Sequence, residues 1–533
     1  MNKHAYLLGK INSFNPDQKV LFGYLQINDK LQLCMPTGGG KNYIMIIDIL
    51  NQLIKTKNKI FTISSHRLML NNQHLNDIFE IFSPMLGDIG FIFVGSSKYD
   101  YSKFQNNVEF NKKLLKKKLS YNEIISSTTS MKEVDELTKN HIDNGRKVVI
   151  LTTYHSLMCL KNLDISTIYC DEAHTLATEE DGAKFKENFE SIHAIRKLFF
   201  TATPKDCFED TESFLMNNEE IFGIRKGLKF SECVEKGYIV KPIIQIAIPT
   251  NFDPTLQFKS VKNMAKFVTD TFLYHKDWLK NTSFDPSKIA PKMLVKCSSV
   301  DEMWKIHAEL VGKIPGVKIC AGASKNDLNN FLHFIDNDGI TGRSEYLEKI
   351  QNFGENEMAI VLHYDTMSEG INVDGFTAVM FLGGKLPSKF KILQNTGRAT
   401  RLHKFDRDRL NKGEIMVGDG KWIKANCVVI IPYWDHESEF TQRELANQIK
   451  DLRDNFGYDP HVQISLGSDI GSGKKEDDPE ALNKKDEKDK KSEIIKQIRN
   501  EMEILDKEEM DLKEYERVSK LSKLELLKEE FGN

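Results

Sequence analysis

Short apolar runs alternate with longer stretches of helical periodicity through residues 1–228, a pattern that is typical of α/β proteins. Each run is apolar or β-branched along its length, as expected for a parallel strand covered by helices on both faces. Between Gly95 and Gly145 the sequence is polar and rich in lysine, and we expect surface helices and loops there. The strands predicted for this first set are Leu31–Met35, Ile60–Ser64, Ile89–Val94, Val148–Thr152, Thr167–Cys170 and Lys197–Phe200.

A second set of strands with the same alternation begins after residue 229. Tyr238–Ile248 is predicted to be a connecting strand, and residues 251–291 are predicted to form an insertion or a cover. The two sets are similar in architecture but do not repeat each other in sequence. The further strands predicted for this set are Lys292–Cys297, Val317–Cys320, Met358–His363, Ala378–Leu382 and Cys427–Ile431.

The amino-acid composition of the chain changes after residue 466. Gly467–Gly473 is predicted to be a flexible link, and Lys474–Lys491 is a mixed-charge run that we expect to be solvated. Apolar residues then recur at helical spacing, which indicates an amphipathic helix or a short coiled coil. That helix either packs on the body of the chain or binds a protein partner. Its apolar positions are Ile495, Ile498, Met502, Leu505 and Leu512.

These patterns predict an α/β fold with two tandem parallel-sheet domains and a charged helical C-terminal tail. We assign the first domain to residues 1–228, the second to 229–466 and the tail to 467–533. A length of 533 residues, 40% of them hydrophobic and 28% charged, is sufficient for two such cores. The net charge of −3 neither favours nor excludes nucleic acid as a partner.

Cysteine spacing and hydropathy indicate the cellular compartment in which the chain works. The eight cysteines form no CxxC pair and no metal-binding spacing, which favours buried free thiols. No apolar run approaches the length of a membrane span, and no leader sequence opens the chain. We therefore expect an intracellular protein, in the cytoplasm or nucleus, or in the virion if the source is a virus.

A glycine-rich turn between a predicted strand and a predicted helix is the first candidate for chemistry. Its backbone N–H groups can converge on phosphate oxygens, and the N-terminus of the following helix also attracts anions. The lysine can reach the β- and γ-phosphates of a nucleotide, although an asparagine follows it where Ser or Thr usually holds Mg²⁺. The residues of this phosphate-binding loop are Pro36, Thr37, Gly38, Gly39, Gly40, Lys41 and Asn42.

Two adjacent carboxylates follow a predicted strand at its carboxyl end, where parallel sheets carry their chemistry. Asp171 is predicted to hold Mg²⁺, together with Asn42, and Glu172 to orient or deprotonate the attacking water. Thr201 and Thr203 lie at the end of the next strand, where their hydroxyls are suited to coupling the carboxylates to the second domain. Each of these motifs taken alone also fits an ordinary strand exit.

Arg398 and Arg401 lie three residues apart in the second domain, so on a helix they share one face. Guanidinium groups make planar, bidentate contacts with phosphoryl oxygens. We predict that this pair stabilises the charge on the transferring γ-phosphoryl group. An arginine pair bound to acidic neighbours on a helix surface would have the same sequence.

Taken together, the order and spacing of these motifs resemble superfamily 2 helicases over the range from Gln18 to Arg401. Within this superfamily, the resemblance is closest to the group that includes restriction-enzyme motor subunits and phage or large-DNA-virus helicases. The resemblance implies two tandem RecA-like domains, with ATP and Mg²⁺ between them. It further implies that Gln18 reads adenine, that Gly370 and Asn372 contact the nucleotide, and that Gln394 takes part in coupling. The residues that it assigns to nucleic-acid contact are Ser65, His66, Arg67, Thr153 and Tyr154.

The predicted function is an ATP-dependent helicase or translocase that acts on nucleic acid, with DNA favoured over RNA. Two alternatives stay open at this point. One is a translocase that moves on duplex DNA without separating its strands. The other is a nucleotide-gated clamp with weak ATPase activity, which the asparagines at positions 42 and 372 keep in consideration.

Overall fold

Two β-sheets follow one another along the chain in the computed structural model, each covered by helices on both faces. This architecture confirms the predicted pair of parallel-sheet units. Within the described ranges, every helix is too short or too polar to cross a membrane. The structure describes residues 2–66, 74, 77–82, 85–95, 108–116, 118–177, 183–205, 214–248, 260–282, 285, 287–322, 334–336, 339–341, 350, 357–364, 375–382, 389–432, 442–457, 461–466, 496–498 and 500–512.

The first sheet is entirely parallel among the described residues, with the strand order β4-β3-β5-β2-β6-β7-β1-β8. Its central strands β2, β5 and β6 are buried along almost their whole length, which explains their continuous apolar character. All six strands predicted for this part are confirmed. The bounds are β1 Lys30–Cys34, β2 Ile60–Ser65, β3 Ile89–Val94, β4 Ile125–Thr128, β5 Lys147–Thr153, β6 Ile165–Asp171, β7 Ala194–Thr201 and β8 Ile224–Gly227.

Two edge strands of this sheet were not predicted. β4 lies within the polar stretch between Gly95 and Gly145 that was expected to hold only surface helices and loops, so that expectation is wrong for these four residues. β8 pairs with β1 at the opposite edge. Both strands are four residues long, and at least two residues of each are polar. Neither therefore has the apolar run that marks a buried strand.

Successive side chains of the strands enter cores on opposite faces of the first sheet. Val149 and Leu151 of β5 pack into one core, and Val148 and Ile150 pack into the other. The helices supply the outer walls of both cores. The helices of this part are α1 Lys3–Asn12, α2 Pro16–Ile27, α3 Lys41–Lys55, α4 Val108–Lys116, α5 Met131–Asp143, α6 Ala183–Glu190 and α7 Glu219–Phe222.

The second sheet has the order β13-β12-β11-β14-β10-β15-β16-β9-β17. Within the part of the chain that is described, it is parallel except for β12, which pairs antiparallel with both β11 and β13. The five later strands predicted here are confirmed. β9 pairs with β16 on one side and β17 on the other, so it is an interior strand and not the connecting strand predicted for Tyr238–Ile248. The bounds are β9 Lys241–Ile248, β10 Lys292–Lys296, β11 Val317–Gly322, β12 Phe334–Asp336, β13 Gly339–Thr341, β14 Met358–His363, β15 Ala378–Phe381, β16 Asn426–Pro432 and β17 His461–Leu466.

Helices also cover both faces of the second sheet. The described part of the predicted insertion at 251–291 includes a long helix whose Phe267, Val268 and Phe272 are buried in one of the two cores. That segment therefore covers the sheet. The helices of this part are α8 Phe230–Glu235, α9 Val261–Thr282, α10 Val300–Leu310, α11 Lys389–Ala399, α12 Lys404–Asn411 and α13 Gln442–Phe456.

Residues 496–498 and 500–512 are helical and form what we call the C-terminal helix. Ile498 and Leu505 are buried in the core of the second sheet. Asp506 receives two hydrogen bonds, of 2.6 and 2.8 Å, from the guanidinium of Arg453 on α13. Of the two alternatives for this helix, packing on the body of the chain is the one observed, although Leu512 is exposed. The predicted link and mixed-charge run, at 467–491, lie outside the described residues.

A buried polar cluster joins four elements of the first sheet. The carboxylate of Asp48, on α3, accepts hydrogen bonds from Gln26 of α2 at 2.7 Å and from Tyr169 of β6 at 2.8 Å. The guanidinium of Arg196 on β7 lies 3.6 Å from the same carboxylate. Because these four elements also carry the predicted site residues, this cluster fixes the relative positions of those residues.

We predict that Asp48→Ala lowers the free energy of unfolding by about 3–5 kcal/mol, because Arg196 would stay buried without its carboxylate. Urea unfolding should be followed by far-ultraviolet circular dichroism, since the four tryptophans all lie after residue 277. Glu136→Ala is the matched control, because its ion pair with Lys132 is exposed and should contribute less than about 1 kcal/mol. An unfolding midpoint for Asp48→Ala equal to that of the control would contradict the prediction.

Candidate nucleotide-binding site

The phosphate-binding loop leaves β1 at Cys34 and enters α3 at Lys41. Gly38 and Gly40 have φ angles of 90° and 93°, in the left-handed region that favours glycine. A Cβ on Gly40 would collide with the side-chain amide of Gln18. The positive φ angles of two glycines thus allow a tight turn directly before α3, as the sequence predicts for a phosphate-binding turn.

Gln18 reaches this loop from the first turn of α2. Its Nε2 donates a 3.3 Å hydrogen bond to the carbonyl of Gly39, and its Oε1 accepts one from the backbone N–H of Asn15. Asn15 caps α2 in return, since its side chain accepts a 2.8 Å hydrogen bond from the Gln18 N–H. The residue predicted to read adenine is therefore held against the glycine turn, at the rim of the cleft.

Lys41 and the two carboxylates meet at the carboxyl edge of the first sheet. The Lys41 ammonium lies 2.9 Å from Glu172 Oε1 and 3.9 Å from Asp171 Oδ1. Glu172 adopts φ 51° and ψ 48°, a left-handed conformation that a residue with a side chain adopts at a cost of about 1–3 kcal/mol. Such strain is common at functional sites, and here it turns the Glu172 side chain toward Lys41.

Burial and mutual attraction act against each other on these charges. Burial opposes the charged form of Lys41, but Glu172 and Asp171 outweigh it and raise the pKa of the ammonium. Burial likewise opposes the charged form of Asp171, but Lys41 and His74 lower the pKa of this carboxyl to about 2. The site thus holds an ammonium and a carboxylate, both ionised, in a place with little water.

Two buried side chains hold Asp171 in place, and the sequence predicted this role for neither of them. His74 is fully buried, and its Nε2 lies 2.9 Å from Asp171 Oδ2. Tyr154 is also fully buried, and its hydroxyl donates a 2.7 Å hydrogen bond to the backbone carbonyl of Asp171. The side chain of Tyr154, which was predicted to contact nucleic acid, has no accessible surface, and its hydroxyl is bonded inside the core.

His174 links the carboxylates to the end of β7. Its Nδ1 lies 2.9 Å from the hydroxyl of Thr201 and 3.5 Å from Glu172 Oε2. The Thr201 hydroxyl also accepts a 3.1 Å hydrogen bond from the backbone N–H of Thr203. The hydroxyls at this strand end were expected to reach the carboxylates directly. The hydroxyls are instead linked to the carboxylates by His174, to which the sequence assigned no role.

The arginine pair comes from the end of α11, in the second sheet's unit, and faces the phosphate-binding loop. Arg398 and Arg401 are 8% and 9% exposed. A Cβ on Gly38 would lie 3.3 Å from Arg401 Cγ, and a Cβ on Gly397 would collide with Thr37. The close contact of α11 with the loop therefore depends on glycine at both positions. Gln394, on the same helix, is buried as well.

A cleft of about 580 Å³ lies between the two units and brings most of the predicted site residues together. Asp77, Glu80, Tyr238 and Arg407 also line it, although the sequence offered no motif for any of them. Tyr238 donates a 2.7 Å hydrogen bond to Asp17 across the cleft. The predicted site residues in its lining are Gln18, Pro36, Thr37, Gly38, Gly39, Gly40, Lys41, Asn42, Asp171, Glu172, Arg398 and Arg401.

Buried oxygens at one end of the cleft suit a divalent cation. Asp171 Oδ1 and Asn42 Oδ1 are inaccessible to solvent and accept no hydrogen bond from the described residues. Mg²⁺ is commonly held by one or two such oxygens together with substrate phosphates and water. Within the described ranges, no cluster of three or more His, Cys, Asp or Glu residues could hold a metal without such a substrate.

The residues predicted to contact nucleic acid lie at the ends of β2 and β5, two adjacent strands of the first sheet. Ser65 is fully buried, Thr153 is 7% exposed, and His66 is partly exposed. The two strands end side by side at the carboxyl edge that also carries Asp171. Arg67, Gly370 and Asn372 lie outside the described residues.

Lys424 holds the end of the helix that carries the arginine pair. It is 1% exposed, and its ammonium donates hydrogen bonds of 2.5 and 2.8 Å to the carbonyls of Ala399 and Arg401. The carboxylate of Asp406 accepts hydrogen bonds from the backbone N–H groups of Ile423 and Lys424, which fixes the segment that presents the ammonium. A cation near the C-terminus of a helix also stabilises its unpaired carbonyls.

A lysine in a glycine turn, an acidic pair on the neighbouring strand end and two arginines from a second sheet define a two-lobed nucleoside triphosphatase. Residues 15–211 match the family model described as DEAD/DEAH box helicase. This part of the chain, somewhat more than a third of its length, is thus similar to DEAD/DEAH box helicases, a family of ATP-hydrolysing enzymes. No curated protein matches the chain.

Solved structures with a similar fold include the ATP-dependent Type ISP restriction-modification enzyme LlaBIII bound to DNA, at a TM-score of 0.60 and 15% identity. That match covers 91% of this chain and 33% of LlaBIII, so the chain spans about one third of that enzyme. The helicase Lhr of Mycobacterium smegmatis, bound to ssDNA and AMP-PNP, has a TM-score of 0.50 at 11% identity, with 85% and 50% covered. At such identities these likenesses show the fold.

We predict that Lys424→Met lowers the ATPase rate by about 10–100-fold, because a small displacement of Arg401 would remove the alignment that is predicted for it with the γ-phosphoryl group. Steady-state ATPase assays should show the loss mainly in kcat, since Lys424 is absent from the lining of the cleft. Lys421→Met is the matched control, being an exposed lysine three residues away. Equal rates for the two variants would contradict the prediction.

Proposed function

We propose that this chain is an ATP-driven motor that moves along nucleic acid, with DNA favoured over RNA. The observation that carries the proposal is that Lys41 and Glu172 from one lobe face Arg398 and Arg401 from the other across one cleft. An ATPase whose site is completed by a second lobe can convert nucleotide binding and hydrolysis into lobe movement. When both lobes hold the nucleic acid, their relative movement carries the chain along it, which is translocation.

The ion pair between Lys41 and Glu172 defines the first step. In the arrangement described, Lys41 neutralises Glu172. When ATP enters, its phosphates offer Lys41 a stronger partner, and the transfer of Lys41 to them leaves the Glu172 carboxylate free. Glu172 then orients the attacking water and accepts its proton. The base thus becomes active only when the substrate is bound.

Asp171 and Asn42 are the residues that would hold Mg²⁺, through the buried oxygens described above. Bound there, the ion would neutralise charge on the β- and γ-phosphates. Gln18 is proposed to read the adenine edge, and the backbone of Pro36, Thr37, Gly38, Gly39 and Gly40 to cradle the phosphates. Gly370 and Asn372 are proposed to contact the nucleotide from the second lobe.

Arg398 and Arg401 would stabilise the charge that develops on the γ-phosphoryl group as the lobes close. After hydrolysis this charge leaves with the product, and the attraction that holds the lobes together weakens. Thr201 and Thr203, through His174, and Gln394 are proposed to couple the state of the site to the position of the second lobe. One such cycle would move the chain along the nucleic acid.

The nucleic-acid track is proposed to run over the carboxyl edge of the first sheet, past Ser65, His66, Arg67 and Thr153. Contacts there would be made mainly to the sugar–phosphate backbone, so sequence specificity should be low. The preference for DNA is supported by two structures of similar fold, one bound to DNA and one to ssDNA. Whether strands are separated during movement is left to experiment.

We predict that nucleic acid stimulates the ATPase activity of the wild-type chain, and that Lys41→Ala and Glu172→Gln each reduce kcat by at least about 1,000-fold. Lys41→Ala removes the phosphate cation, and Glu172→Gln keeps the shape of the side chain but removes the proton acceptor. Lys132→Ala, an exposed lysine distant from the cleft, serves as the control. Undiminished turnover in either site variant would refute the assignment.

We predict greater stimulation by DNA than by RNA, and a steep loss of nucleic-acid affinity between low and moderate salt, because phosphate contacts release counterions. ATPase assays with single-stranded, duplex and forked DNA and with RNA test the first point, and fluorescence anisotropy in increasing salt tests the second. Triplex displacement without strand displacement would identify a duplex translocase. ATP-dependent binding with slow, unstimulated turnover would replace the motor with a clamp.

A further inference from the structure

His74 is placed where it can control the geometry of Asp171. Both side chains are buried, at 0% and 1% exposed, and the 2.9 Å contact between His74 Nε2 and Asp171 Oδ2 is enclosed by protein. A carboxylate in such a place needs donors to fix its orientation, since water does not compensate its lone pairs. The contact leaves Oδ1, the oxygen without a hydrogen-bond donor among the described residues, for another partner.

The contact is directional. An imidazole donates to an anionic carboxylate through a ring N–H, so the contact requires a proton on Nε2 whether or not Nδ1 also carries one. Rotation of the Asp171 carboxylate would break this bond, while Tyr154 holds its backbone carbonyl from the other side. Partners of this kind, which orient a carboxylate that binds a metal, typically change metal affinity or activity 10–100-fold when they are removed.

His74 also belongs to a segment that connects two regions of the first lobe. It follows β2, whose end carries Ser65 and His66, by eight residues. It precedes the helical residues 77–81, of which Asp77, Glu80 and Ile81 line the cleft. His74, Asp77 and Ile81 are three and four residues apart in the sequence, and each contacts Asp171 or lines the cleft.

We propose that His74 is a positioning residue for Asp171 and transmits the occupancy of the β2 end to the divalent-cation site. With His74 bound to Oδ2, the free oxygen Oδ1 is directed to the cation. Nucleic acid held at Ser65 and His66 would restrain the segment and stabilise this orientation, so cation affinity rises when the track is occupied. The proposal rests on the motor function proposed above, because that function supplies both the cation and the track.

The test measures cation binding directly. Mn²⁺ is titrated into the full chain at saturating ADP, with and without single-stranded DNA, and free Mn²⁺ is followed by electron paramagnetic resonance. We expect His74→Leu to weaken Mn²⁺ binding about 10-fold or more and to abolish the tightening that DNA causes. His74→Gln, whose side-chain amide can donate to the same oxygen, should retain most of the affinity and of the DNA effect.

His141→Leu is the matched control, since His141 is also a buried histidine of the first lobe but packs against Gly90, away from the cleft. Circular dichroism must show that each variant is folded. Mn²⁺ affinity in His74→Leu equal to that of the control would overturn the proposal, and so would equal weakening in His74→Leu and His74→Gln.

Failure of the motor function would be recognised separately. If no nucleic acid stimulates the ATPase of the wild-type chain, the proposed function falls, and with it the transmission from the β2 end. The Mn²⁺ titration without DNA would still decide whether His74 positions Asp171. If the wild-type ATPase is stimulated but DNA tightens Mn²⁺ equally in wild type and His74→Leu, only the inference about transmission falls.

Discussion

The approach of Arg401 to the phosphate-binding loop is the constraint on which the arrangement of the site depends. The stem of Arg401 occupies the space that a side chain on residue 38 would need, and Thr37 occupies the corresponding space at Gly397. Two glycines, one in each lobe, thus permit contact between surfaces that carry opposite parts of the chemistry. A larger residue at position 397 would collide with Thr37, and one at position 38 would crowd the Arg401 stem and be strained at a φ of 90°, so both glycines favour the close approach of the lobes.

The two lobes contribute different charged groups on either side of that contact. The first keeps an ammonium and two carboxylates within a small buried volume, which is tolerable because each charge has a partner of opposite sign. Its polar cluster around Asp48 ties α2, α3, β6 and β7 together, so the glycine turn and the acidic strand end keep a fixed separation. The second lobe presents cations at the end of one helix, where Lys424 binds the last carbonyls. Rigid elements in both lobes leave relative movement to the cleft between them.

The sequence predicted the fold and about half of the cleft lining because both depend on local patterns. Apolar runs identified the buried strands, and the glycine turn, the acidic pair and the arginine pair each have a characteristic spacing. Short edge strands such as β4 and β8 were missed because half of their residues are polar. His74 and Lys424 were missed for a different reason, since their roles arise from contacts over 97 and 23 residues of separation. The burial of the Tyr154 ring was not predicted either, because its motif position indicates a strand end but not the direction of the side chain.

In the proposed cycle, the contact between Lys41 and Glu172 would also serve as a return path. Once the γ-phosphate has been cleaved and begins to leave, the Glu172 carboxylate would compete for the same ammonium that retains the product. Recapture of Lys41 by Glu172 would then weaken the hold on phosphate at the moment when departure is needed, and it would inactivate the base until the next substrate enters. Such a site would release its product and reset through the same internal contact.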